Sequence, residues 1–226
     1  MITNLPDYVI LIFLLTVVLC FILFVSAAKN KPIVAVVLLA WLAVSGILSF
    51  KGVFQKTDSM PPRLMIVMLP ALLFVIVLLI TKKGRNFSDG LDLRRITLVH
   101  VVRIPVEIVL YYLAANKLIP ELMTFAGRNF DILSGLTAPV IYFACFRDSL
   151  LRKRKLLLAW NLICLGLLLN IVINAFLSLP SPFQQFAFDQ PNVAVLYFPF
   201  TWLPCFIVVI VLYSHLVAIR RLIRHK

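Results

Sequence analysis

The sequence predicts an all-α, polytopic membrane protein. It reads as a seven-transmembrane-helix bundle, N-terminus outside and C-terminus cytoplasmic, forming one domain over residues 1–226. Three observations predict this. First, 62% of the 226 residues are hydrophobic and the mean hydropathy is +1.04, against roughly 45–50% apolar residues in soluble domains. Second, the apolar residues gather in blocks of about 18–25, the length of a helix that crosses a bilayer. Third, the basic residues concentrate in alternate loops between those blocks, the pattern by which membrane proteins set their orientation.

The first block, 7–27, follows a segment with no basic leader. No small-residue cleavage pattern follows it, so it reads as a retained span. The second is 32–50. The third, 64–80, contains Pro70, which predicts a kink. The fourth, 96–116, lies within the long apolar stretch 94–120. The fifth, 132–146, makes a helix of only about 22 Å, short of the roughly 30 Å hydrocarbon core. Either the bilayer thins there or the segment 118–130 dips inward. A dipped segment is tolerated only when buried in protein or lining a wet cavity. Asp131, with Ser134 three residues on, reads as the N-cap of span five. The sixth span is 156–177. The seventh is 193–219, with Pro199 and Pro204 as interruptions.

Loop charge fixes the count at seven. Lys29 and Lys31 follow span one; Lys82, Lys83, Arg85, Arg94 and Arg95 follow span three. Arg147, Arg152, Lys153, Arg154 and Lys155 follow span five; Arg220, Arg221, Arg224 and Lys226 follow span seven. Only Lys51, Lys56, Arg63, Lys117 and Arg128 fall on the other side. The richer side is cytoplasmic by the positive-inside rule, and an even number of spans would break the alternation. The net charge of +13 is thereby a matter of topology, and nucleic acid is not an expected partner. The expected partners are the bilayer, anionic lipid at the basic cytoplasmic loops, and a small solute or proton. The outer loop 178–192, rich in proline and phenylalanine, reads as an ordered cap over the bundle.

Span four is the centre of the functional reading. His100, Arg103 and Glu107, spaced by 3 and 4, share one helical face, which Tyr111 extends. At 1.5 Å per residue they lie about 6, 10 and 16 Å into the span, so Glu107 is near the midplane. A charge there costs from ~2.5 to more than 10 kcal/mol, so such residues face the bundle interior and find partners. Arg103 and Glu107, at i and i+4, are expected to pair with each other. Pro105 between them frees the carbonyl of residue 101. Asn161 in span six has a depth close to that of Arg103. Each asparagine, Asn170 and Asn174 included, reads first as a hydrogen-bonding glue between helices; alternatively Asn170 and Asn174, with Trp202 in span seven, make a candidate outer pocket.

Two histidines at one depth, His100 and His215, raise the question of an axially ligated haem, but no haem-pocket pattern accompanies them. Glu107 lies about 10 Å along the helix from His100, too far to share a zinc ion with it. No metal and no cofactor is expected. Cys20, Cys145, Cys164 and Cys205 sit in apolar blocks without a CxxC pair and read as buried small hydrophobes. HExxH, GxSxG and Walker A motifs are absent. Span seven has no lysine in its apolar part, so a retinal Schiff base has no attachment point there.

Three functions remain, in this order. The first is movement of protons or a small solute through a polar cavity built on the fourth helix. The second is a sensory or ligand-binding bundle. The third is a membrane-embedded enzyme acting on a lipid or quinone. The basic, disulfide-free chain points to a bacterial inner membrane.

Overall fold

Inside a bilayer each backbone N–H and C=O must be satisfied by the segment itself, and a helix does so. The computed structural model describes Ile2, residues 5–146 and residues 153–224. Arg147, Arg152 and Lys226 of the expected basic segments lie outside the described residues. Every regular element among the described residues is helical.

The helices are α1 (Asp7–Ala27), α2 (Lys31–Phe50), α3 (Met65–Ile80), α4 (Lys82–Asp89), α5 (Leu93–Val99), α6 (Arg103–Ala115), α7 (Ile132–Phe146), α8 (Arg154–Leu177) and α9 (Val208–Arg224). A 3₁₀ turn at His100–Val102 joins α5 to α6, and a π-helical turn at Leu203–Ile207 leads into α9. Among the described residues, five helices are long and apolar enough to cross a membrane: α1, α2, Leu93–Ala115, α8 and Leu203–Arg224. A sixth is counted if α3 and α4, bent by 87°, form one span. The apolar α7 is shorter, with the bounds expected of span five.

Leu93–Ala115 and Leu203–Arg224 are the central helices, each with 61% of its most apolar window buried, against 33% or less for α1, α2 and α8. α1 packs on α5 and α6, α8 on α9, and α7 on α5, α6 and α8. Two indoles tie α2 to the π-helical turn. Trp41 Nε1 donates to the Cys205 carbonyl at 2.9 Å, and Trp202 Nε1 to the Leu42 carbonyl at 3.1 Å.

Two sequence expectations change here. The basic segment after α3 is helical, because its starts are capped locally. Thr81 Oγ1 accepts from Gly84 N, and Asp92 Oδ1 from Arg94 N. The last span begins at Leu203, not residue 193. Pro199 has no N–H to give a helix, and residues before it form only a 3₁₀ turn at Ala194–Leu196. The span then runs past residue 219 to Arg224, held by Arg220 on Asp89 and by Arg221 Nη1 on the Leu91 carbonyl.

Helix C-termini leave carbonyls without donors. At the end rich in basic residues, arginines supply them. Arg95 Nη1 donates to the Ser26 carbonyl at 2.8 Å, Arg85 Nη1 to that of Ile80 at 2.5 Å, and Arg154 Nε to that of Leu222 at 2.6 Å. At the other end, segment 178–192 is an ordered cap. Asn192 N bonds the Ser178 carbonyl at 2.8 Å, and Gln190 Nε2 reaches the Ala114 carbonyl at 3.1 Å.

The sharp bend between α3 and α4 depends on Gly84. A Cβ there would sit 2.4 Å from Leu78 Cα and 2.5 Å from its carbonyl oxygen, whereas Gly166 has open space. Gly84→Ala is expected to cost about 1–3 kcal/mol, as overpacking does. Gly166→Ala should lose nothing. Thermal unfolding of the two variants in one detergent checks this.

Candidate functional site

Three local features bring the polar residues together. The 3₁₀ turn lies directly before Arg103, whose N–H bonds back to the carbonyls of His100 and Val101. Pro105 denies Val101 its normal α-helical partner. Gly135 lets the first turn of α7 press against α6, since a Cβ there would fall 2.9 Å from Ile104 Cγ1 and 3.1 Å from Ile104 N. That contact carries Asp131 to the depth of Arg103.

The result is one continuous hydrogen-bond network, every member no more than 5% exposed. Arg103 Nη1 pairs with Asp131 Oδ1. Arg103 Nη2 bonds His215 Nε2 at 3.1 Å. His215 Nδ1 bonds Asn161 Oδ1 at 2.9 Å, and Asn161 Nδ2 donates to the Leu157 carbonyl at 2.8 Å. In the other direction, Asn129 Oδ1 accepts from Asp131 N at 3.0 Å, and Asn129 Nδ2 donates to Glu107 Oε1 at 2.5 Å. The donors fix the tautomer of His215. Asn161 spends its N–H on Leu157, so its oxygen faces His215 and Nδ1 carries the proton. Nε2 is then the acceptor that a permanently protonated guanidinium requires.

His100 stacks on His215, with ring centroids 3.9 Å apart and planes at 21°. The edge of Trp160 closes on it at 5.3 Å. A porphyrin between two axial imidazoles needs the rings on opposite sides of an iron, so this stack is not a haem site. No cluster of three metal-ligating residues occurs among the described residues.

A cavity of about 90 Å³ adjoins the network, room for a few waters or part of an organic molecule. Its polar lining comes from Arg103, Glu107, Asp131 and Asn192; the rest is apolar, mostly from α3, α6, α8 and α9, with Met123, Leu179 and Val195 from the connecting segments. Leu203, Pro204 and Ile207 of the π-helical turn form part of one wall. Two acceptors on lining residues are buried without a donor, Glu107 Oε2 and Asn192 Oδ1, and Arg103 Nε is a donor without an acceptor.

The sequence placed His100, Arg103, Glu107 and Asn161 in the interior, and the structure joins them there. The expected Arg103–Glu107 ion pair is replaced. Arg103 turns toward α7, α8 and α9, where Asp131, the Cys164 carbonyl at 3.5 Å and His215 take its donors. Asp131 therefore does more than start α7, although Ser134 N does bond its carbonyl at 3.0 Å. Tyr111 is half exposed and stacks on Phe125, outside the network. The residues of the candidate outer pocket are engaged separately, the asparagines in hydrogen bonds to backbone carbonyls. Asn170 donates to the Arg128 carbonyl, Asn174 to Asn170, and Trp202 to α2. Sequence reasoning missed Asn129 and Asn192. The signal for Asn129 was the short fifth span, which left segment 118–130 to be buried with its polar groups satisfied internally. In the structure that segment buries Ile119, Met123, Thr124 and Asn129.

The fold and site define a class: an all-helical chain with membrane-length apolar helices and a buried, charged network beside a mostly apolar cavity. Residues 60–223, which contain every network residue, match DUF8737, a domain of unknown function, and the chain belongs to that family. No curated protein and no solved structure matches the chain.

Removing one partner of a buried ion pair leaves an uncompensated charge and costs about 3–5 kcal/mol, while replacing both with apolar groups is often neutral. Asp131→Ala is thus expected to lower the unfolding temperature sharply. The double variant Arg103→Met with Asp131→Leu should recover most of the loss. Glu107→Gln, which keeps the oxygen that accepts from Asn129, should unfold close to the unchanged protein. Thermal unfolding of all three orders them.

Proposed function

We propose that this chain is a multi-pass membrane transporter that takes a proton or a small solute onto Glu107 from the cavity beside α6. The observation that carries this reading is Glu107 Oε2, a buried carboxylate oxygen without a hydrogen-bond partner on a residue that lines the cavity. An ionisable group at that depth is expensive to keep and is a functional candidate by default.

The network itself is a poor proton wire. A guanidinium does not deprotonate, and the amide of Asn129 does not relay a proton between Glu107 and Asp131. Its role on this reading is to hold Glu107 by one oxygen and leave the other to the cargo. The sensory reading loses support because Asn170, Asn174 and Trp202 are engaged separately. The enzymatic reading has at the network the hydroxyl of Ser134, which donates to Asp131 Oδ1 at 3.4 Å, and the free thiol of Cys164, but both are buried away from the cavity lining.

The expected test uses liposomes that enclose a pH dye. Flux carried by the unchanged protein and removed by Glu107→Gln supports the reading. Flux that survives Glu107→Gln, or none from folded protein, overturns it.

The topology belongs to the same proposal: α7 as a seventh span, the N-terminus outside, and the basic end facing the cytoplasm of a bacterial cell, where it meets anionic lipid. The arginine-capped helix ends support one common basic side. Lys82 and Phe188 are exposed at opposite ends. A membrane-impermeant maleimide is expected to label Phe188→Cys on intact cells, and Lys82→Cys only after permeabilisation.

A further inference from the structure

We infer that the solute recognised by this cavity is an organic cation, a primary or secondary ammonium on a mainly apolar body, with its N–H groups donated to Glu107. The inference deepens the proposed function and rests on its reading of Glu107 as the residue that meets the cargo.

Charge balance is the first argument. Around Glu107, α6 supplies Arg103, segment 118–131 supplies Asp131, and α9 supplies His215. Arg103 and Asp131 cancel. His215 accepts from Arg103 through Nε2 and is therefore neutral. His100 stands face to face with His215, and its Nδ1 has no acceptor for a second ring proton. No lysine or arginine forms an ion pair with Glu107 among the described residues. An ionised Glu107 thus leaves one negative charge over in an apolar interior. An anionic solute would double it, and a neutral one would leave it in place. Either a proton or a cationic solute removes it, so these two are competing occupants of one carboxylate.

Hydrogen bonding is the second argument. Glu107 Oε1 is taken by Asn129 at 2.5 Å, and Oε2 accepts from nothing. Asn192 Oδ1, on another residue of the same lining, is also an acceptor without a donor. Its position follows from α8: Arg103 is level with the Cys164 carbonyl and Asn192 with that of Ala175, about 16 Å apart along the helix, so that Glu107, one turn of α6 beyond Arg103, stands roughly 10 Å from the level of Asn192. Two acceptors at separate heights suit a molecule that donates at one end through its ammonium and further along through a second N–H or O–H. Between them the walls are apolar and include Met68 and Met123, side chains that reshape readily around different bodies.

The test measures binding of three probes that share one body, 4-phenylbutylamine, 4-phenylbutanol and 4-phenylbutyrate, to the full chain in nanodiscs. Empty nanodiscs give the partitioning background. The amine is expected to bind at least about tenfold tighter than the other two, a difference of one decade in Kd. Glu107→Gln should erase that preference by weakening the amine, and Glu107→Asp should keep the order of the three. Tightest binding by the butyrate would make Arg103 the anchor and overturn the inference. Equal binding of amine and alcohol, a preference that survives Glu107→Gln, or no binding above the empty nanodisc would overturn it as well. The order of the three probes on the unchanged protein decides the matter even if Glu107→Gln fails to fold. Amine binding that depends on Glu107, without flux in liposomes, would sink the transport reading and leave this one standing.

Discussion

A guanidinium buried in an apolar bundle must have its charge met and its donors accepted, and most of this structure's irregular features follow from Arg103. Asp131 supplies the charge, His215 and the Cys164 carbonyl accept further N–H groups, and none of the three lies on the helix that carries the arginine. For Asp131 to arrive at that depth, α7 must start inside the bundle and not at its outer edge. The short α7 is therefore a consequence of the ion pair. The chain that precedes it has to enter the protein to reach Asp131, and non-helical backbone at such depth survives only when protein satisfies it. Asn129 does that, bonding Asp131 N, the Met123 carbonyl and Glu107 together.

Proline placement works toward the same end. Pro105 and Pro204 each withhold an N–H from a central helix, and the 3₁₀ turn at His100–Val102 and the π-helical turn at Leu203–Ile207 lie beside them. The two helices with the greatest burial thus depart from regular α geometry at the site. π-Helical turns occur often at functional positions. Here one contributes directly to the cavity wall. Regular α-helix persists in α1 and α2, whose exposed faces are largely apolar and which bury no charged residue.

Much of this was legible in the sequence, because the features concerned are local. Apolar block length gave α1 and α7 their bounds, and spacings of 3 and 4 put His100, Arg103 and Glu107 on one buried face. Tyr111 shows where periodicity stops helping: it extends the stripe, yet the stripe's outer end is no longer covered by a neighbour. The partner of Arg103 was not legible, since i, i+4 spacing offers Glu107 while the choice of Asp131 depends on where α7 packs. Asn192 was hidden for the same reason, being 85 positions away in the chain from Glu107 and joined to it only through a shared cavity. The start of the last span was misplaced because residues 193–202 are as apolar as the helix that follows, and Pro199 alone marks the difference.

Whether a membrane-buried ion pair is a structural lock or a functional group is often posed as a choice, and on the proposed reading the two roles divide between residues. Arg103, Asp131, His215, Asn161 and Asn129 bond chiefly with one another, Arg103 Nε excepted, and such a set rigidifies packing. Glu107 differs by one atom. Its Oε1 is held by the lock and its Oε2 is not. If the carboxylate served packing alone, an amide or an apolar residue at 107 would meet Asn129 or fill the space without an ionisable group at that depth. The unpaired oxygen, at a cavity with one more unpaired acceptor, is what a purely structural account leaves over. On the proposed reading the lock keeps that oxygen in place, and a bound proton or solute would complete its bonding.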